Sequence, residues 1–407
     1  MRADHDSDGD DQPNRDDEAG GGPPLADQFR SFAVAVGRDG TAVYERICRG
    51  VADDGALLDL TGLAPPAQRR PNLLLAAVHF LLLGGADDRL ADHYRTVAEW
   101  RGTPARRPAD DRDPFAEFST FCRDHRDELA TLLATRATQT NEVGRCAVLL
   151  PAFVTVAAEA GRPLALVDLG ASAGLNLLFD RYTYRYARSS TTTTTAAAAA
   201  GTGTGDAGVV GSPVMLDCDV RAGGLPDLAL PAVAYRAGID RQPVDVDDDD
   251  AARWLLACQW PEHVTRFARL RAAIDLARGA PDRGEVRTGD VVDDLAETVA
   301  GAPPDAHLCV YHSWVAAYLT TERQQALGAA IADVARSRPV SWVFAELPYE
   351  VPGLPVPPAP ADRTGDRPPK GATAVVLVDI DRDGRRSRAR RLADVHPHGR
   401  WMYWWGA

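Results

Sequence analysis

Lysine is almost missing from this 407-residue chain: Lys370 is the only one, and the other 44 basic residues are arginines. The 58 acidic residues, 45 of them aspartate, leave a formal net charge of −13. That balance excludes a general binder of nucleic-acid backbones, which needs basic surface to neutralise phosphates. An Asp-rich, Lys-poor surface resembles those of proteins from salt-loving organisms, where strong salt screens the self-repulsion. The six cysteines (Cys48, Cys122, Cys146, Cys218, Cys258 and Cys309) include no CxxC pair and no Cys/His ligand spacing, so no structural zinc site is expected. No basic segment followed by an apolar one opens the chain, so no signal peptide is expected. The apolar run Leu73 to Leu83 is about half the length of a membrane span and contains His79. A cytoplasmic protein with no membrane contact is the expectation.

Residues 1–24 are Asp, Gly and Pro with almost nothing apolar, the composition of a disordered acidic tail. From residue 25 to 160 the apolar spacing is helical: Phe29, Phe32, Ala33 and Val36 share a face, and Phe115, Phe118, Phe121 and Cys122 form a second stripe. No strand is read before residue 164. From 161 to 407 the texture changes, with strand-length apolar runs near 164–168, 233–238, 285–288, 307–311 and 340–345. Helical patterns near 174–182, 249–258, 262–277, 291–299 and 321–337 alternate with them. Two closing strands, 372–380 and 388–394, are joined by a turn through Asp381–Gly384. Alternation of this kind predicts an α/β fold: a mostly parallel, Rossmann-like sheet ending in a hairpin, preceded by an all-helical domain. The Thr/Ala/Gly-rich stretch 188–211 cannot bury a face and is read as a surface insertion, and the Pro-rich stretch 351–369 as a long loop.

One stretch carries most of the chemistry. Leu164 to Val167 leads to Asp168, then to small residues, then to a helical pattern from Gly174. A strand, a tight turn and a helix start in that order offer unpaired N–H groups to a ligand. Asp168-x-Gly170-x-Ser172-x-Gly174 is the acidic glycine-loop pattern of S-adenosylmethionine-binding folds, with Ser in the middle glycine's place. Later residues follow in the matching order. Asp240 ends the next strand, where a carboxylate can accept both hydroxyls of a ribose. Asp290 follows a short strand, in position to receive an adenine amino group, and Tyr311-His-Ser-Trp314 ends the fourth. Asp240 and Asp290 also suit plain turn or cap positions. His312 is the candidate base, since an imidazole titrates near neutrality; its bland reading is a structural, hydrogen-bonded histidine. Tyr311 and Trp314 are candidates for the pocket wall.

Gly170-x-Ser172-x-Gly174 is equally a nucleophile elbow, with Asp290 or Asp305 and His396 or His398 completing the chain order of a serine hydrolase. Against it stand the lack of earlier strands and of an HGGG-like oxyanion segment. Ahead of the loop, Gln139, Asn141, Glu142 and Arg145 form a polar cluster between apolar helices, either a capped helix start or part of the pocket.

The segments Thr138–Ala147, Gly170–Asn176, Tyr235–Asp240, Trp260–His263 and His398–Trp401 together resemble an uncharacterised prokaryotic family, domain of unknown function 2332, from about residue 27 to the end. The resemblance brings no reaction. It implies a core similar to class I S-adenosylmethionine-dependent methyltransferases, with Asp168 and Gly170 to Gly174, Ser172 among them, at the cofactor's methionine end, Asp240 at its ribose and Asp290 at its adenine; Asn176 is a further candidate for cofactor binding. The expected activity is methyl transfer from S-adenosylmethionine to a small or medium acceptor. A serine hydrolase and a non-catalytic cofactor or nucleotide sensor stand as alternatives. The Tyr-His-Ser-Trp end of the fourth strand replaces the Asn/Asp-Pro-Pro-Tyr motif that marks amino methylation of bases, so the acceptor stays open.

Overall fold

The computed structural model describes residues 23–86, 89–105, 112–188, 206–360, 367–382 and 386–406. The expected acidic tail lies outside these except for its last two residues. So do most of the 188–211 insertion, the centre of the 351–369 loop and half of the Asp381–Gly384 turn. In chain order the helices are α1 (Leu25–Arg38), α2 (Ala42–Val51), α3 (Gly55–Thr61), α4 (Pro71–Leu83), α5 (Arg95–Arg101) and α6 (Pro114–Asp124). They continue as α7 (Arg126–Thr135), α8 (Cys146–Ala160), α9 (Asp249–Ala257), α10 (Val264–Arg278), α11 (Leu295–Val299) and α12 (Thr321–Ala335). The chain divides into two compact units, one of residues up to Thr140 with Val246–Arg271, the other of Asn141–Asp245 with the residues from Ala272 on.

The first unit is built from helices. Apolar α4 is buried along nearly its whole length, and His79 in its middle is fully enclosed. Its ring is satisfied from both sides. Nδ1 faces the carbonyls of Ala257 and Gln259 at 3.0 Å each, and Nε2 lies 2.9 Å from the Thr96 hydroxyl. The Trp260–His263 motif closes onto α1 and α2: Glu262 accepts from the Val43 N–H at 2.8 Å, and His263 pairs with Asp39 at 3.2 Å.

The second unit is an 11-stranded mixed sheet in the order β3-β2-β4-β11-β10-β9-β8-β7-β1-β5-β6. The strands are β1 (Leu164–Leu169), β2 (Thr183–Ala187), β3 (Asp206–Gly208), β4 (Met215–Ala222), β5 (Val233–Asp240) and β6 (Glu285–Thr288). After them come β7 (His307–Ser313), β8 (Val340–Glu346), β9 (Thr373–Ile380), β10 (Arg386–Val395) and β11 (Trp401–Trp404). The five strands β6, β5, β1, β7 and β8 are mutually parallel. Every residue of β1 and of β8 is buried, as expected for strands covered on both faces. Beyond β8 the direction alternates: β9 is antiparallel to β8, β10 to β9 and β11 to β10, so β10 again runs with β1. The insertion thus borders real sheet. β3 lies inside the range read as a low-complexity insertion, and β4 follows it.

Alternation along the strands separates two faces. Ala165, Val167 and Leu169 of β1, Leu308 and Val310 of β7, and Trp342 and Phe344 of β8 share a core with Leu295 of α11 and Leu327 and Ile331 of α12. On the other face α8 lies against the sheet, with Phe153 edge-on to Tyr311 at 5.0 Å. Among the described residues, Val143–Ala160 is the one helical stretch long and apolar enough to cross a membrane, and two-thirds of it is buried. Left-handed Gly161 ends α8 and lets the chain turn into β1.

Burial pushes the His79 imidazole down to about 4, against the opposing pull of the Ala257 and Gln259 carbonyls. Between its ordinary value near 6.5 and 4 the unfolded chain therefore binds a proton that the folded chain refuses. Stability from neutral His79 is intact above pH 6.5 and is lost as pH falls to 4, an effect of about 3 kcal/mol. Urea unfolding at pH 7 and pH 4.5 should show His79→Gln less stable at pH 7 but less weakened by acid than wild type; equal losses in the two proteins would contradict this account.

Candidate functional site

Among the parallel strands the chain passes from β1, by way of β2, β3 and β4 at the far edge of the sheet, to β5 and β6 on one side of β1, and then crosses to β7 on the other. Ligands of open α/β sheets bind outside the carboxyl ends of the strands where the order reverses, which here is the β1/β7 junction. The turn leaving β1 is tight. Gly170 and Gly174 have φ of +75° and +70°, and Ser172 between them has φ of +53°. A Cβ on Gly170 would stand 2.3 Å from a methyl of Val315, so the turns that follow β1 and β7 are pressed together.

Two distant parts of the sequence, the β5 end and Asn141, hold this turn. The N–H groups of Gly170 and Ala171 donate to the Ile239 carbonyl at 2.8 and 3.2 Å. The Ser172 N–H donates to Asp240 Oδ2 at 2.8 Å, while Asp240 Oδ1 accepts from the Gln242 N–H at the same distance. Asn141 Oδ1 accepts from the N–H groups of Ala173 and Leu175, both at 3.2 Å. The helix expected over 174–182 is a kinked 3-10 run, Leu175–Arg181, with Leu178 off helical geometry. Its carbonyls turn to side chains: Tyr182 donates to the Leu175 carbonyl and Arg236 to that of Leu177. Buried Asn176 faces the Cys146 thiol of α8.

The register sets Asp168 between Gly238 of β5 and Tyr311 of β7. Burial pushes its carboxyl up to about 8; the Tyr311 hydroxyl opposes that rise, the Asp240 charge adds to it and Arg145 opposes it. The Arg145 guanidinium donates to the carbonyls of Ser313 (3.1 Å) and Pro397 (3.2 Å) and lies over the Trp314 ring at 5.5 Å. Trp314 is held in a left-handed conformation, φ +58°, by bonds from its N–H to the Ala345 carbonyl and from its indole to the Thr373 hydroxyl. Asp168, Tyr311, Arg145 and Trp314 are therefore one cluster.

Asp290 stands at the β6 end. Its Oδ1 accepts from the N–H groups of Val292 and Asp293, and Arg241 and Arg323 pair with it. Burial would raise its carboxyl, but the Val292 N–H and these arginines bring it below the ordinary value. It shapes the 290–294 turn, which is why helix begins at Leu295 rather than at 291. The Gly289 N–H donates to the Asp240 carbonyl, so the β5 and β6 ends are joined.

The structure does not bring His312 to the Asp168 side. One residue beyond Tyr311, it points to the opposite face, fully buried and stacked on Phe344 at 5.5 Å. Its Nδ1 lies 2.7 Å from Glu346 Oε1, which also accepts from the N–H groups of Val315 and Ala316. Below the same turn, Gln324 donates to the carbonyls of Ala316, Leu319 and Glu350. His312 and Glu346 thus fix the segment after β7 from beneath. Sequence reasoning passed over Glu346; its signal is a lone charge closing the apolar run of β8. Glu142 is buried beside Arg145, with Oε1 accepting from the Gly144 N–H at 2.9 Å and Oε2 3.5 Å from His398 Nδ1. Gln139 belongs to the first unit, on the irregular stretch after α7.

A surface hollow of about 560 Å³ lies at the other end of the sheet, lined by Val233 to Arg236, Arg278 and Ala280 to Glu285. Its most buried cation, Arg236, is committed to the Leu177 carbonyl and Asp180. Among the described residues no three His, Cys, Asp or Glu side chains converge to hold a metal ion. No disulfide links the six cysteines.

Residues 26–404 match the model of a family described as an uncharacterized protein conserved in bacteria, DUF2332. No curated protein matches the sequence.

Removing the Asn141 oxygen strands two main-chain donors. Asn141→Ala is expected to lower unfolding stability by about 1–3 kcal/mol and to speed hydrogen exchange at Ala173 and Leu175. Exchange at these amides that matches wild type would mean that the turn holds itself.

Proposed function

The chain belongs to the DUF2332 family, and we propose that its second unit binds S-adenosylmethionine at the carboxyl ends of β1, β5 and β6 and transfers the methyl group to a small or medium acceptor. The observation that carries this reading is the turn Gly170–Gly174 at the point where the strand order reverses, pinned by Asp240 and Asn141. The order β6-β5-β1-β7-β8 is the 3-2-1-4-5 succession of dinucleotide-binding sheets. The sheet departs from that pattern beyond β8, where it turns antiparallel.

The donor set suits the ligand. S-adenosylmethionine carries an ammonium group, a sulfonium centre and ribose hydroxyls, all served by hydrogen-bond acceptors or negative charge, and this edge presents Asp168, Asp240 and Asp290. Asp168 and the Gly170–Gly174 backbone would hold the methionine end, with Asn176 behind them. Each Asp240 oxygen takes one main-chain N–H and keeps a lone pair for a ribose hydroxyl. Asp290, fixed by its turn and two arginines, would face the adenine amino group. When bound, the cofactor supplies an electrophilic methyl carbon.

The protein's share is mainly positioning. Tyr311 and Arg145 bracket Asp168 and set how readily it ionises. Trp314, clamped between Arg145 and Thr373, walls the space beyond β7. His312 is assigned a supporting part: through Glu346 it holds the turn that carries Trp314 and Val315. A net charge of −13 fits a small-molecule acceptor better than a nucleic-acid backbone.

Calorimetric titration with S-adenosylmethionine and S-adenosylhomocysteine should give micromolar binding that Asp240→Ala weakens more than tenfold. Because Asp168 must ionise to pair with the ligand's ammonium group, affinity for S-adenosylmethionine should rise severalfold from pH 6 to pH 7.5. An Asp168→Asn variant should flatten that rise. A folded wild type that binds neither ligand refutes the proposal. Labelling of Ser172 by a fluorophosphonate in that case would instead favour the hydrolase, to which its left-handed φ of +53° after a strand is suited.

A further inference from the structure

We infer that Glu142 and His398 are the acid–base pair of this site, His398 taking the proton that the acceptor gives up and Glu142 orienting its imidazole; the assignment rests on the methyl-transfer reading above. The topology brings them there. β10 runs parallel to β1, so its carboxyl end at Val395 delivers residues 396–400 to the edge where β1 and β7 end. The turn is folded hard: the Gly399 N–H donates to the His396 carbonyl, the His396 N–H to the Trp401 carbonyl, and the His398 N–H to His396 Nδ1, each at 2.9 Å.

It is also pressed onto the segment that carries Glu142. Gly399 has φ of +76°, and a Cβ there would stand 2.0 Å from the Gly144 carbonyl oxygen, so only glycine fits. Arg145 then ties the turn to the β7 end, one guanidinium reaching the Pro397 and Ser313 carbonyls, and its charge is felt at Asp168. Asp168, Arg145, Glu142 and His398 thus share one face of the sheet, the face His312 does not reach.

The pair has the layout of a base over its orienting acid. The Glu142 side chain is 3% exposed and that of His398 19%, so the carboxylate lies below and the imidazole at the surface. With Glu142 Oε1 taken by the Gly144 N–H, Oε2 faces His398 Nδ1 at 3.5 Å. At 3.5 Å the contact is an ion-pair approach rather than a hydrogen bond, and its closing by a few tenths of an ångström would hold the proton on Nδ1 and leave Nε2 as the basic nitrogen. His396 is unsuited to this role, because it is buried, its Nδ1 is committed to the His398 N–H, and its ring stands edge-on to Trp401. In the proposed step the acceptor atom's lone pair bonds to the methyl carbon. The carbon–sulfur bond breaks with its electron pair left on sulfur, and the acceptor's proton passes to His398 Nε2.

Wild type, His398→Gln and Glu142→Gln separate this assignment from the reading beneath it. Calorimetry should show S-adenosylmethionine affinity within twofold of wild type in both variants. Formation of S-adenosylhomocysteine, assayed with a deproteinised bacterial metabolite extract as acceptor pool, should fall about 100-fold in His398→Gln and about tenfold in Glu142→Gln. Proton NMR should place the His398 titration about one pH unit lower in Glu142→Gln, since the nearby anion favours the imidazolium; the activity profile should move with it. Full turnover by His398→Gln, or a His398 titration unmoved by Glu142→Gln, overturns the pair while binding leaves the cofactor reading intact. A wild type that binds no S-adenosylmethionine overturns the reading and the catalytic role together.

Discussion

The main-chain N–H groups of residues 170–175 point away from any regular ladder, and a buried amide without an acceptor is costly. Gly174 finds its acceptor inside the turn, in the Ala171 carbonyl, and the others are satisfied from two other parts of the chain, Asn141 on one side and the consecutive Ile239 and Asp240 on the other. The rest of the edge follows from that constraint. With Asp240 fixed on Ser172, the β5 end is tied to β1, and through the Gly289 N–H the β6 end is tied to β5. With the turn closed, Gly170 meets Val315, so the position of the segment after β7 is set as well. One loop thereby registers four strand ends against each other.

Much of this is legible in the order of residues alone. Parallel strands buried on both faces read as nearly unbroken apolar runs, so β1, β7 and β8 stand out, while β5 is interrupted by Arg236 and buried only in its second half. Their terminal acids, Asp168 and Asp240, fall in the order a cofactor site requires. The strands that escape notice have other signatures. β4 is Met215-Leu-Asp-Cys-Asp-Val-Arg-Ala222, a strict alternation with every second residue buried, but it adjoins the Thr/Ala/Gly stretch and is hidden by it. β11 is four buried residues, Trp401 to Trp404, too short to separate from an aromatic tail. The run Leu175–Arg181 looks helical because its apolar spacing fits 3.6 residues per turn, yet Arg236 and Tyr182 draw off its carbonyls. Those are tertiary contacts that local spacing cannot register.

The site is less legible than the fold, and strand parity explains part of the shortfall. Tyr311 and His312 are neighbours in sequence and opposites in space, because successive side chains of a strand face opposite sides. Asp168 pairs with Tyr311 in the register, so the residue following Tyr311 must belong to the α11/α12 side. That inference needs only the pairing, which sequence alone does not supply. Glu142 and His398 pose the reverse problem. They lie near opposite ends of the unit's sequence, and only the hairpin return of β9 and β10 brings them within 3.5 Å.

The two faces of the sheet divide the work at its carboxyl edge. On the α11/α12 side, Glu346 and Gln324 hydrogen-bond the segment after β7, His312 backs Glu346, and all three are buried. On the α8 side, Arg145 balances opposing demands: it steadies the carbonyls of Ser313 and Pro397 and at the same time lowers the cost of ionising Asp168. A rigid underside and a titratable upper side fit the methyl-transfer proposal, in which the site would hold a cationic ligand still while protons move. Asp168 is what makes the arrangement responsive. Its carboxyl is so well buried that near neutrality it tends to keep its proton, and a cation arriving beside it would offset the cost of the ionisation that burial resists. Under the proposal, recognition of charge at this edge would be coupled to loss of a proton from the strand end beneath it.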